Sequence, residues 1–116
     1  MTTEEVLNHH LGAFGAGDTD EIMKDFTEAS VMHTPEGVLR GLAKIRPVFE
    51  KFFSEITPPG ETEFEMLQMS VVDNVAYIVW KASSKFADIP VGTDTFVVRD
   101  DKIVAQSFAA HVIPKE

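Results

Sequence analysis

The chain changes its hydrophobic period once, at Thr57-Pro58-Pro59-Gly60, and that switch limits the folds open to it. Proline removes a backbone donor and glycine opens unusual backbone angles, so the cluster separates two kinds of structure. Before it the apolar spacing is helical. Thr2 with Glu5 three residues on forms a capping box, and Leu7, Leu11 and Phe14 recur at i, i+4 and i+7. Gly15 and Gly17 stop that helix. Asp18 and Glu21 open a second, with Ile22, Met23 and Phe26 as its apolar stripe. A short extended piece, Ser30 to Thr34, is turned by Pro35-Glu36-Gly37. A third helix is predicted from Leu42 to Ile56, on a stripe that includes Ile45, Phe49, Phe52 and Phe53. Pro47 is expected to delay its start or kink it.

After Gly60 the pattern is that of strands, at Thr62–Val72, Val75–Ser84, Val91–Arg99 and Lys102–Ile113, with tight turns at Asp73-Asn74 and Asp100-Asp101. Helices first and strands afterwards predict an α+β fold, with helices on one face of a mainly antiparallel sheet, in one domain over residues 1–116. A chain of this length buries roughly two thirds of its unfolded surface. With 44% hydrophobic residues and nine Phe, that supports one core. The last strands carry apolar groups on both faces, such as Phe96 and Val97. Helices cover only one face, so a homodimer is expected to cover the other.

Charge and composition exclude several classes. Ten basic against nineteen acidic residues give −9, which disfavours nucleic acid and anionic membranes as partners. There is no Cys, so disulfides, thiolate nucleophiles and zinc–thiolate sites are excluded. The N-terminus shows no apolar signal region, and a cytoplasmic location is expected. No phosphate loop, nucleophile elbow or H-E-x-x-H occurs, and no cofactor is expected. The four His residues match no common ligand spacing, so no metal is expected either.

The informative residues are polar groups on apolar faces. His10 shares a helix face with Val6 and Ala13, His33 ends a short strand opened by Val31, and Asp94 alternates with Phe96 and Val98. A buried ionised carboxylate must be partnered or held neutral. Each could equally serve structure alone, the histidines as satisfied core or rim residues and Asp94 as a strand-end cap.

The stretch from His10-Leu-Gly-Ala-Phe through Asp18, Ile22 and Phe26 to Ala29-Ser-Val-Met-His33 resembles the opening of the ketosteroid isomerase and SnoaL-like polyketide cyclase group. Arg40-Gly41-Leu-Ala-Lys-Ile45 resembles the group's lead-in to the third helix, and Thr93-Asp94-Thr95-Phe96 with Lys102-Ile103-Val104 its penultimate hairpin. The resemblance implies the nuclear-transport-factor-2-like (cystatin-like) cone: three helices in a curved sheet, around an apolar pocket, usually dimeric. In the steroid isomerases a Tyr and a protonated Asp form the oxyanion hole and another Asp is the base. Carried over by position, Asp94 matches the oxyanion Asp, His10 replaces the Tyr and His33 replaces the base. The implied pocket walls are Phe14, Phe49, Phe53, Tyr77, Trp80, Gln106 and Phe108. The expected ligand is small, apolar and carbonyl-bearing or cyclic. An isomerase, or a cyclase-type lyase or hydrolase, working by proton transfer beside the carbonyl is one reading; a non-catalytic carrier or sensor and a dimerisation module are the others.

Overall fold

Thr2 and Glu5 close the reciprocal cap of α1 (Thr3–Gly15): the Thr2 hydroxyl accepts from the Glu5 amide and the Glu5 carboxylate accepts from the Thr2 amide. The computed structural model describes residues Met1–Glu116. Asp18 caps α2 (Thr19–Met23) by accepting from the Glu21 amide. That helix is shorter than its stripe suggests: Phe26 lies beyond its end, though still in the core. Gly17, at φ +66°, lets the chain turn between them, and an added Cβ there would meet the Pro59 ring at 2.1 Å.

Two short antiparallel strands follow, β1 (Val31–Thr34) and β2 (Gly37–Arg40), then α3 (Leu42–Glu55). Strand β2 is absent from the sequence reading, because four residues carry too little alternation to show. Pro47 does not delay α3; the helix begins at Leu42 and takes Pro47 in its interior.

The remaining chain forms β3 (Glu63–Val72), β4 (Val75–Ser83), β5 (Ala87–Arg99), β6 (Lys102–Ala110) and a two-residue β7 (Ile113–Pro114). The seven-stranded sheet has the order β2-β1-β6-β5-β4-β3, with β7 added to β5, and only the β1–β6 pair is parallel. Asp100 and Asp101, at φ 52° and 65°, supply the left-handed backbone a two-residue hairpin loop needs. Strand β5 starts four residues before the expected Val91 because Pro90 sits where the register with β4 shifts and no ladder donor is required. The last predicted strand splits, since the chain leaves β6 at Ala110 and returns to β5 as β7. Further register shifts at Met66/Gln68 and Val97/Val98 help to bend the sheet.

The core fills the concave side, where α1 and α3 meet Ala76, Ile78, Phe96, Val98 and Ile103. The helices cover one face only. No helix is long and apolar enough to cross a membrane.

Candidate functional site

Between α1, α3 and the concave face lies a cavity of about 310 Å³. Leu11 and Phe14 of α1, with Val48, Phe49 and Phe52 of α3, form its helical wall. The opposite wall comes from strands whose alternate residues face inward: Phe64 and Met66, Ile78 and Trp80, Asp94 and Phe96, and Gln106 and Phe108. Met32 closes it on β1. His10, Glu65 and Asp94 are its ionisable lining residues. Glu65 is exposed and lies 3.6 Å from Lys81 Nζ, which leaves the buried His10 and Asp94 as the titratable groups of the interior.

Asp94 is held by its neighbouring strands. Trp80 Nε1 donates to its Oδ2 at 2.8 Å, and Gln106 Nε2 donates to its Oδ1 at 3.0 Å. The register explains this. Asp94 opposes Ile78 on one side and Phe108 on the other, so Trp80 and Gln106 are its diagonal neighbours on the same face. Gly92 makes the first contact possible: it pairs with Trp80, and a Cβ there would stand 2.4 Å from two indole carbons. Without that Cβ the indole lies across β5 and reaches the carboxylate. Burial pushes the Asp94 carboxyl up to about 6, while the two donors pull the other way.

His10 sits among Phe26, Phe49 and Phe96, whose ring centroids lie 5.9, 5.7 and 5.1 Å away in edge-on geometry. Burial, helped by the adjacent His9, lowers its pKa to about 4, so the ring is neutral near pH 7. His9 is its chain neighbour and faces elsewhere, as a helix requires. The His9 Nδ1 lies 2.8 and 2.9 Å from the Asp25 oxygens, and its Nε2 2.8 Å from Glu21 Oε1. Two acceptors call for two N–H groups. Glu21 and Asp25 accordingly hold His9 above the usual histidine range.

The structure therefore brings His10 and Asp94 to one cavity, with Phe14, Phe49, Trp80, Gln106 and Phe108 from the expected walls. His33 is elsewhere. It is exposed on the convex face opposite Ser107, while its neighbour Met32 points inward. Tyr77, between the buried Ala76 and Ile78, also points to the convex side. Phe53 is a core residue stacked near Phe14, at 5.0 Å between centroids, and does not line the cavity. The sequence reading missed Phe64 and Met66, whose alternation with Glu63 and Glu65 was the available signal. It also missed Asp25, which no local pattern marks.

Residues 7–106 match the SnoaL-like domain family. No curated protein matches the sequence. Among solved structures, the chain is similar to a SnoaL-like protein of unknown function from Burkholderia thailandensis, at 15% identity, TM-score 0.75 and 94% coverage of each chain. A provisionally assigned ketosteroid isomerase from Kribbella flavida gives 12% identity and TM-score 0.76, covering 94% of this chain and 77% of that one. A provisionally assigned polyketide cyclase from Sinorhizobium meliloti gives 19% and 0.72, covering 90% and 94%. At these identities the likeness is one of fold. The family match and the cone of helices in a curved sheet agree, and the chain belongs to the SnoaL-like domain family, with the nuclear-transport-factor-2-like fold.

Proposed function

We propose that the cavity binds a small, largely apolar ligand bearing a carbonyl, and that Asp94 moves a proton at the carbon beside it. The supporting observation is the placement of Asp94, a buried carboxylate in a largely apolar cavity, whose pKa stands at about 6. A base is most effective when its pKa lies near the working pH. The two donors orient the carboxylate without neutralising it. The base's part, which the family resemblance gave to His33, passes to Asp94 because His33 faces away from the cavity. His10 provides a polar contact on the helical wall.

Exchange of α-protons in deuterated water, across a set of small cyclic ketones, tests this. The wild type should exchange ketone protons, Asp94→Asn should lose a factor of about 10² to 10⁴, and His33→Ala should match the wild type. No wild-type exchange above solvent, or full activity in Asp94→Asn, would refute the reading.

The second reading is a carrier, favoured by the fact that Trp80 and Gln106 already engage both oxygens of Asp94. A carrier would bind ligands, as reported by the chain's single Trp, and catalyse no exchange.

The proposal includes a homodimer. Val75, Val79, Val91 and Val97 put apolar groups on the convex face, away from the helices, where Val75 and Val91 are exposed. Light scattering at micromolar concentration should give twice the chain mass, and a monomer mass would contradict it. An obligate interface of this kind buries roughly 2,000 Å² or more.

A further inference from the structure

His10 has a neighbour that the cavity does not show. Its Nδ1 is fully buried and makes no hydrogen bond, and Asp25 Oδ2 lies 4.0 Å away. Nε2, the ring's other nitrogen, is not sealed off in this way, and His10 lines the cavity. Asp25 is itself buried and firmly placed. Its carbonyl accepts from the Ile103 amide at 2.7 Å, and its carboxylate is held by His9, which is held in turn by Glu21. Glu21 is paired with Lys24 at 2.9 Å. A connected row of polar groups thus runs from the surface, through Glu21, His9 and Asp25, to the back of a cavity histidine.

We infer that Asp25 is a positioning residue, which holds the proton of neutral His10 on Nδ1 and turns the Nε2 lone pair into the cavity as a hydrogen-bond acceptor. A neutral imidazole carries one N–H. With the proton on Nε2, the Nδ1 lone pair would face a buried carboxylate, and charge and lone pair repel. With the proton on Nδ1, the N–H dipole points at that charge. At 4.0 Å the contact is longer than a hydrogen bond. Such contacts commonly tighten only when the site is filled. His9 keeps the carboxylate in place and anchored to α2, so removing His9 leaves the acceptor present but less firmly held.

The inference rests on the cavity being the ligand site, and it narrows the ligand. Both interior groups, the Asp94 carboxylate and His10 Nε2, are acceptors near pH 7. A carbonyl compound that also carries a hydroxyl or N–H donor satisfies His10, whereas a bare ketone leaves it unpaired at a cost of a buried lone hydrogen-bonding group.

The tautomer is directly readable. Long-range nitrogen–proton NMR on the uniformly ¹⁵N-labelled, unliganded protein near pH 7 should show a pyrrole-like Nδ1 and a pyridine-like Nε2 for His10. In Asp25→Asn the Nδ1–H form should fall from nearly the whole population to a minority. In His9→Gln, with Asp25 retained, it should persist. Nε2–H in the wild type, or no change in Asp25→Asn, would overturn the assignment. Should Asp25→Asn fail to fold, the wild-type tautomer and its persistence in His9→Gln still decide. No ligand is needed, so this result stands apart from the ketone-exchange test: a correct tautomer without exchange faults the catalytic reading alone.

Discussion

Asp94→Asn is expected to stabilise the protein at pH 8 by about 3 kcal/mol, an unusual direction for a change at a buried, hydrogen-bonded residue. The folded pKa is raised from 3.8 to about 6. A raised carboxyl pKa means the folded state holds its proton more tightly, so the group's favourable contribution is complete below pH 3.8. It is lost as pH rises through 6. Above that, the folded protein carries an ionised carboxylate that burial disfavours, at about 1.4 kcal/mol for each tenfold difference in proton affinity between the folded and unfolded chain. Asparagine removes the charge and keeps the shape. Its oxygen still accepts from Trp80, and its amide can donate to Gln106 Oε1 if that side chain turns over. That oxygen is buried without a partner in the present arrangement. Urea unfolding of both proteins at pH 8 and pH 4 checks this, with the advantage of the variant vanishing at the lower pH. The difference between the two proteins is the quantity to follow, because His10 titrates in the opposite sense. Its pKa is lowered to about 4, so it removes stability from both as pH falls from 6.5.

Gly92→Ala should act on the same site from behind, at a cost of about 1–3 kcal/mol. The new methyl would stand 2.4 Å from the indole, far inside contact distance, and the rigid ring cannot fold away as a flexible chain end would. Trp80 must move, and its bond to Asp94 Oδ2 goes with it. The carboxylate then loses one of two donors that favour its charged form, so its pKa should rise further. Fluorescence of the single Trp should shift, and in an Asp94→Asn background the cost should not add to the single-variant value, since the two positions share a contact. An alanine variant with wild-type stability and fluorescence would mean the indole does not lie over Gly92.

How much of this the sequence reveals depends on how many residues repeat the signal. Asp94, Phe96 and Val98 share a face of a long strand, so the inward direction of Asp94 was legible from its neighbours. His33 lies in a four-residue strand, where two alternations are equally complete and nothing local says which side is the core. Met32, not His33, took the buried side, because β1 pairs in parallel with β6 and its register sets Met32 beside the inward Gln106. Tyr77 is readable in the sequence: Ala76 and Ile78 flank it as the buried pair, and that alternation turns its ring to the convex side. The helical half of the chain divides in the same way. The caps at Thr2 and Asp18 are local and were legible, whereas Asp25 reaches His9 and His10 only through the packing of α1 against the segment after α2.

The protonation of Asp94 can be followed at its own carboxyl carbon, by carbon-detected NMR across pH 3 to 8. The wild-type carbon should titrate with an apparent pKa of about 6, well above the ordinary 3.8, and Trp80 fluorescence should change with the same midpoint in the wild type but not in Asp94→Asn. A carboxyl that titrates at or below 3.8 would be an ordinary or salt-bridged structural residue, and the assignment of proton transfer to this cavity would be wrong.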